Sequence, residues 1–449
     1  MKAKKTLNAV AKACLLAGIV SGTVFGSMTA AAETIAIKAA RVITDPALPP
    51  RGTSIILVEN GRITAIGDDI AVPKDARTID LSGYTVMPGL IDTHVHLTFD
   101  PNIRWNPVTE TREYAVAITL HHAETLARAG FTTVRDLGPD QFFSQAARDA
   151  VAAGLHPGPR IIAAAKLSII GGHGEPARMN PEVMDALDHG TSCTGAEECA
   201  AKVRLAFRNG AQAIKIMATG GSMTPGNALG QHFTDTELTS IVKTAHGLGM
   251  RVAAHSSGAD GVRAAILAGV DTIEHGTFGQ DAEAKLLRQQ GGALSPTLSA
   301  LDHVRRTVGT GVYSPLVDQK NAEVARVVGR MFQAARRAGV RIVFGTDSGV
   351  YPHGEGAHEA ELMASLGGMT PTEILTSATT TAAAELDLSS ETGSIAAGKA
   401  ADIIAVEGDP LKDVSALKNV RFVMTRGAVI RNDKADQGSQ DGAGARSGI

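Results

Sequence analysis

His94 and His96 flank a single residue at the end of the run Pro88-Gly89-Leu90-Ile91-Asp92-Thr93. Side chains two apart on an extended strand share a face, so both imidazoles can address one ion. The H-x-H pair alone carries little. Its company carries more: His255 closes Val252-Ala253-Ala254-His255, His275 closes Thr272-Ile273-Glu274-His275, and Asp347 closes Val343-Phe344-Gly345-Thr346-Asp347. Each residue by itself reads equally well as a cap or a hydrogen-bonded polar group. Five of them, all at the C-terminal ends of apolar runs, make a donor set of neutral imidazoles and one carboxylate, which suits zinc or a similar divalent ion.

Lys215 lies inside Ala213-Ile214-Lys215-Ile216-Met217, an otherwise apolar strand. A charged ammonium is costly to bury, and burial lowers a lysine pKa toward the neutral amine. A neutral amine can take up CO2 and become a carbamate, an anionic ligand able to bridge two metals. A lysine paired with a nearby carboxylate is the competing reading. His173, in the loop Gly171-Gly172-His173-Gly174, and Arg178 beyond it are candidates for holding a substrate carbonyl or carboxylate. A loop-structuring histidine and a surface arginine are the alternatives.

Bringing these residues to one face requires parallel strands with a common C-terminal end. Eight runs qualify: Val86 to Leu97, Thr132 to Asp136, Arg160 to Ala165, Ala213 to Met217, Arg251 to His255, Thr272 to His275, Ala293 to Pro296 and Arg341 to Asp347. Helix-like stretches lie between them, among them Arg112 to Ala129, Asp235 to Leu248, Asp281 to Gln290 and Val317 to Ala338; Thr234 with Glu237 reads as a capping box. Eight βα units over roughly 300 residues predict the α/β class and a (β/α)8 barrel, whose active sites lie at the C-terminal strand ends. A doubly wound open sheet is the alternative, weakened because no G-x-G-x-x-G follows a strand. Alternating β-rich segments at both chain ends, with a hairpin signal at Asn60-Gly61, predict one small β-sandwich domain built from residues 33–87 and 393–432 around a barrel of residues 88–392. Residues 433–449 read as a polar tail.

The run Met87 to His96, together with Lys215, His255, His275 and Asp347, resembles the binuclear amidohydrolase superfamily, and Gly393 to Asp402 resembles that superfamily's return to its small β domain. Gly171 to Gly174, Lys215 to Gly221 and His255-Ser256-Ser257-Gly258 resemble its imidazolonepropionase-like branch. That branch holds prolidase-like Xaa-Pro and other dipeptidases, and amidases of ochratoxin-type N-acyl amino acids. True imidazolonepropionases are similar but use one metal and lack the lysine bridge. The resemblance implies that His94, His96 and Asp347 hold one metal, His255 and His275 the second, and carboxylated Lys215 both. It further implies a hydroxide nucleophile between the metals, with Asp347 as the proton acceptor and donor, and His173 on the substrate. The expected activity is cleavage of an amide bond in a dipeptide or N-acyl amino acid. A cyclic-amide or lactone hydrolase of the same fold is the near alternative. A barrel that binds without turnover is the distant one, and its mark, a missing ligand, is not seen.

The composition is compatible with this. The chain has 449 residues, 44% hydrophobic and 4% aromatic, and a net charge of −3. It therefore lacks the basic footprint of a nucleic-acid binder. Lys2, Lys4 and Lys5, the apolar run Ala13 to Phe25 and Ala30-Ala31-Ala32 form the pattern of a cleaved signal peptide over residues 1–32, implying a periplasmic or secreted enzyme. An uncleaved anchor is the alternative, and no later segment reads as a membrane span. Cleavage removes four lysines and no acids, taking the net charge to −7. Cys193 and Cys199, spaced C-x5-C, do not match a zinc knuckle, and either pair with each other or stay free. The expected partner is a small-molecule or dipeptide substrate; a homo-oligomer stays open.

Overall fold

The computed structural model describes residues 33–103, 106–138, 142–175, 179–187, 190–222, 224 and 229–434. Six strands come first: β1 (Thr34–Ala39), β2 (Arg41–Val42), β3 (Ser54–Glu59), β4 (Arg62–Gly67), β5 (Arg77–Asp80) and β6 (Thr85–Pro88). Eight follow, separated by helices: β7 (Leu90–Val95), β8 (Phe131–Asp136), β9 (Arg160–Leu167), β10 (Ala213–Met217), β11 (Arg251–Ser256), β12 (Thr272–His275), β13 (Ala293–Ser295) and β14 (Arg341–Ile342). Then come β15 (Ile403–Val406), β16 (Val420–Thr425) and β17 (Ala428–Asn432).

The eight central strands are parallel and hydrogen-bonded in unbroken sequence order, β14 to β7. A doubly wound sheet would reverse its order at a switch point; this one does not. The ends meet, because Thr93 N donates to Phe344 O, Asp347 N to His94 O and His96 N to Ser348 O. The sheet is therefore closed, a (β/α)8 barrel. Of the eighth expected strand only Arg341–Ile342 is regular ladder; Val343 to Asp347 carries these closing bonds without regular pairing on both sides.

Of two smaller sheets, β4-β3-β1-β5 is built from the N-terminal part alone and β17-β16-β15-β6-β2 joins strands from both chain ends. Ile37 and Ile56 of one sheet and Val86, Ile403 and Phe422 of the other share one buried cluster. Each such side chain taken fully out of water contributes about 1.5–3 kcal/mol, so the cluster ties the two ends of the chain together. β5 was not anticipated: Arg77-Thr78-Ile79-Asp80 is too short and polar to signal itself, and is recruited by pairing with β1.

Two expectations need correction and one open alternative is resolved. The first barrel strand, read as Val86 to Leu97, is two strands in different sheets: β6 pairs with β15, and the chain crosses to β7 at Gly89. A Cβ there would lie 2.1 Å from Thr132 Oγ1, so only glycine fits the crossing. The single helix over 317–338 is broken into Pro315–Ala325 and Arg330–Ala338, with Gly329 between them at φ +80°. Cys193 and Cys199, left undecided by their spacing, form a disulfide. It fastens the segment that pairs with Ser168, at the base of the His173 loop, to helix Ala196–Arg208. The capping box of Thr234 and Glu237 forms as expected.

Candidate metal centre

All six central candidates reach the C-terminal mouth of the barrel. His94 comes from β7, Lys215 from β10, His255 from β11 and His275 from β12; His96 and Asp347 follow β7 and β14. Ladder register sets their heights. Met217 pairs with His255 and Ser256 with His275, while Lys215 sits level with Ala253, one layer deeper. His94 Nε2 lies 3.3 Å from His96 Nε2 and 3.4 Å from Asp347 Oδ1, and His96 Nε2 lies 3.1 Å from the same oxygen. Ligand atoms about 2.0–2.1 Å from a tetrahedral ion are about 3.3 Å apart, so these three atoms fit one face of a zinc-like coordination shell. Asp347 Oδ1 is buried without a hydrogen-bond donor, which is costly unless a cation compensates it.

The other donors converge on the same space. The ring of His275 is 5.2 Å from that of His94 and 4.7 Å from that of His255. Lys215 Nζ, 1% exposed at the residue level, lies 3.2 Å from His94 Nε2. Burial lowers its pKa to about 8, against the pull of Glu274 and Asp347. Burial likewise drives the histidines toward the neutral form that coordinates metal: His94 to about 3, His275 to about 4, and His255 well below its ordinary value. Burial opposes ionisation of Asp347, but His94 and His96 outweigh it and hold the carboxylate charged. His275 and Asp347 are both in the left-handed region, at φ 65° and 57°. Such backbone strain in non-glycine residues persists where surroundings over-determine it, often at functional sites.

His173 stacks on His255, with ring centroids 4.3 Å apart and planes 16° from parallel. Its Nδ1 is 2.8 Å from Thr224 Oγ1, which accepts a hydrogen bond from Gly221 N. A Cβ on Gly221 would meet His173 Cε1 at 2.8 Å, so glycine there makes room for the imidazole. Burial, above all, lowers the His173 pKa to about 3. It is a neutral hydrogen-bonding group, unsuited to an ionic grip on a carboxylate. Arg178 lies outside the described residues.

Sequence reasoning passed over three residues that hold the ligands in place. Glu274 Oε2 accepts from His94 Nδ1 at 2.7 Å, fixing Nε2 as the ligand atom. Glu274 Oε1 accepts from Arg135 Nη2 at 3.0 Å, and Arg135 Nε donates to Thr93 O at 2.6 Å, all within a fully buried interior. Burial disfavours ionised Glu274, but Arg135 and His94 more than compensate and lower its pKa. Asp92 accepts from Thr346 Oγ1 at 2.6 Å and from His94 N at 3.0 Å, tying the first barrel strand to the segment that carries Asp347. The apolar-strand signal that singled out Lys215 was weaker for Arg135 and Glu274, whose strands Phe131–Asp136 and Thr272–His275 carry other polar residues.

A second group, Asp100, His122 and His353, also has its donor atoms within metal-binding range. Three of its four ring nitrogens are already engaged: His353 Nε2 with Phe99 O and Nδ1 with Ser348 Oγ, and His122 Nδ1 with Leu97 O. These bonds brace the loop after β7 against the loop carrying Ser348. A surface cavity of about 550 Å³ beside Arg306, Lys418 and Arg431 contains none of the candidate ligands. Its cations, Arg128 among them, are paired with Glu124, Asp302, Glu361 and Asp433, so it offers little net charge to a ligand.

Similar proteins match this chain over nearly their whole length. Ochratoxinase of Aspergillus niger is 29% identical over 425 residues, covering 87% of this chain and 85% of the relative. A crystal structure of a Xaa-Pro dipeptidase with methionine bound in its active site superposes with a TM-score of 0.82 at 34% identity, covering 88% of this chain and 99% of that one. A prolidase complexed with N-methylphosphonate-L-proline gives 0.79 at 28% identity, over 89% and 100%. The profile of the Amidohydrolase family matches residues 85–430, from the strand before the H-x-H pair to the last strand of the small domain. With a closed barrel, donors gathered at its mouth and this span of similarity, the chain belongs to the amidohydrolase family and is a hydrolytic enzyme.

Proposed function

We propose that this enzyme is an exported, binuclear, zinc-dependent amidohydrolase that cleaves the amide bond of a dipeptide or N-acyl amino acid bearing a free carboxylate. The observation that carries this reading is the convergence of four imidazoles, one carboxylate and a buried lysine amine on one space at the barrel mouth. His94, His96 and Asp347 would hold one ion, His255 and His275 the other, and Lys215, as its carbamate, both. Bound divalent ions supply an acidified water and polarisation of the scissile carbonyl. Asp347, whose ionised state is favoured by its histidine neighbours, takes the proton from the attacking water and delivers it to the departing nitrogen. With the Thr224 hydroxyl, which receives Gly221 N–H, donating to His173 Nδ1, His173 would present Nε2–H to the carbonyl oxygen of the substrate.

The preference for a free carboxylate is supported by the similar proteins, which are described with methionine and a proline phosphonate bound. The export reading rests on residues 1–32, outside the described residues. In the described residues no helix is long and apolar enough to cross a membrane. The test is a panel of dipeptides and N-acyl amino acids, with their C-terminal amides, assayed on zinc-loaded protein whose metal content is measured. Free acids should be cleaved and the amides poorly. Equal cleavage of both would remove the free-carboxylate preference, and one metal per chain with full activity would remove the binuclear centre.

A further inference from the structure

Strand β13 contributes no candidate ligand, yet the residue two beyond its end is held in the left-handed region, as His275 and Asp347 are. Thr297 sits at φ 47° and ψ 46°, in the left-handed region, where a β-branched residue is a rare outlier. It is also the N-cap of helix Leu298–Thr307. A threonine at that position normally turns its hydroxyl back to accept from the first-turn amides. This one does not; its side chain makes no cap bond. Instead Thr297 Oγ1 donates to Pro296 O at 2.9 Å and lies 2.6 Å from His275 Nδ1. With the only hydroxyl proton spent on Pro296 O, His275 Nδ1 must be the donor in the second contact. The lone pair of His275 is thereby placed on Nε2.

The helix amides that Thr297 abandons are served from elsewhere. Glu359, on helix Ala357–Gly367 and fully buried, accepts from Leu298 N at 2.9 Å and from Ser299 N at 2.7 Å, one with each carboxyl oxygen. The cap is supplied across the fold so that the local hydroxyl is free for His275. We propose that Thr297 and Glu359 act together as positioning residues for the metal centre: Glu359 holds the helix start and the left-handed turn, and Thr297 fixes the tautomer and orientation of His275. The inference rests on the binuclear reading above.

The experiment titrates metal-free protein with cobalt, following the visible d–d spectrum and the stoichiometry, alongside thermal unfolding of the metal-free forms. Thr297→Gly separates the two roles of the residue. Glycine adopts the left-handed conformation freely, so unfolding temperature should hold or rise, while the hydroxyl is lost. Affinity for the second cobalt equivalent should fall on the order of 10–100-fold, with an altered spectrum. Thr297→Ser keeps the hydroxyl and should bind close to wild type. Glu359→Gln leaves one amide facing an NH2 group and should weaken the second equivalent in the same way. Wild-type affinity and spectrum in Thr297→Gly would overturn the proposal, as would equal losses in Thr297→Ser and Thr297→Gly. A wild-type protein that takes up only one equivalent would instead overturn the binuclear reading beneath it.

Discussion

Glu274→Gln is the sharpest perturbation of the site, because one carboxylate serves three buried partners, His94, Arg135 and Thr272. Its side chain and that of Arg135 are at most 1% exposed, and His94 is fully buried. An amide has one acceptor where the carboxylate has two. If its oxygen faces Arg135, its NH2 faces His94 Nδ1 and favours a proton on Nε2, the atom that must bind metal. If its oxygen faces His94, its NH2 opposes the guanidinium. Either way the Arg135 charge loses its counter-charge, and leaving one member of a buried pair uncompensated costs about 3–5 kcal/mol. With an unfolding entropy of about 2.1 cal/mol/K per residue over roughly 400 ordered residues, that is a drop of about 4–6 °C in Tm. Differential scanning calorimetry of the metal-free protein measures it, and elemental analysis of the reconstituted protein reads the His94 site. The double variant Arg135→Met/Glu274→Gln should recover much of the Tm by removing the stranded charge. It should also recover part of the metal, because without Arg135 the glutamine oxygen is free to accept from His94 Nδ1. A Glu274→Gln protein with wild-type Tm and full metal content would refute both halves of the reasoning.

Lys215→Ala should lose activity and at least one metal, with partial return of both on addition of short carboxylic acids; full activity without rescue would exclude a lysine bridge. Carbamate formation needs the neutral amine, so with a pKa of about 8 the reactive fraction rises from about 3% at pH 6.5 to about 75% at pH 8.5. Reconstitution of metal-free protein with zinc and bicarbonate should accelerate accordingly, and a rate that falls over this range contradicts it. The same depressed pKa means that the unfolded chain binds more protons between about pH 8 and 10.4, so this group makes metal-free stability rise with pH in that window. Asp347→Asn keeps an oxygen ligand but removes the base; kcat should fall on the order of 10²-fold or more with much of the metal retained, and a near-normal kcat would assign the proton to another residue. Replacing Cys193 and Cys199 with alanine should lower stability by about 2 kcal/mol, the chain-entropy value for so short a loop, read by denaturant titration.

The barrel was legible because its strands, covered on both faces, read as short apolar runs between helical stretches. Ala213–Met217 and Thr272–His275 match their expected limits. Boundaries failed where the chain changes sheets, at Gly89, and where a left-handed glycine interrupts a helical pattern, at Gly329. Neither event changes hydrophobic periodicity, so pattern alone does not reveal it. The disulfide was undecidable from spacing because Cys193 and Cys199 meet only once the return segment pairs with Ser168.

The sequence by itself determined which groups stand at the barrel mouth. A residue's place at a strand end follows from a few neighbours, and parallel strands in order carry their ends to one side. What the tertiary structure decided is the state of those groups. The tautomer of His94 depends on Glu274, 180 positions away, and the strained turn that serves His275 depends on Glu359, about 60 positions from the amides it holds. The lowered pKa of Lys215 depends on its burial by the closed barrel. Proton placement and burial are set by contacts between distant segments, and no local pattern encodes a hydrogen bond whose partners meet only in the folded chain.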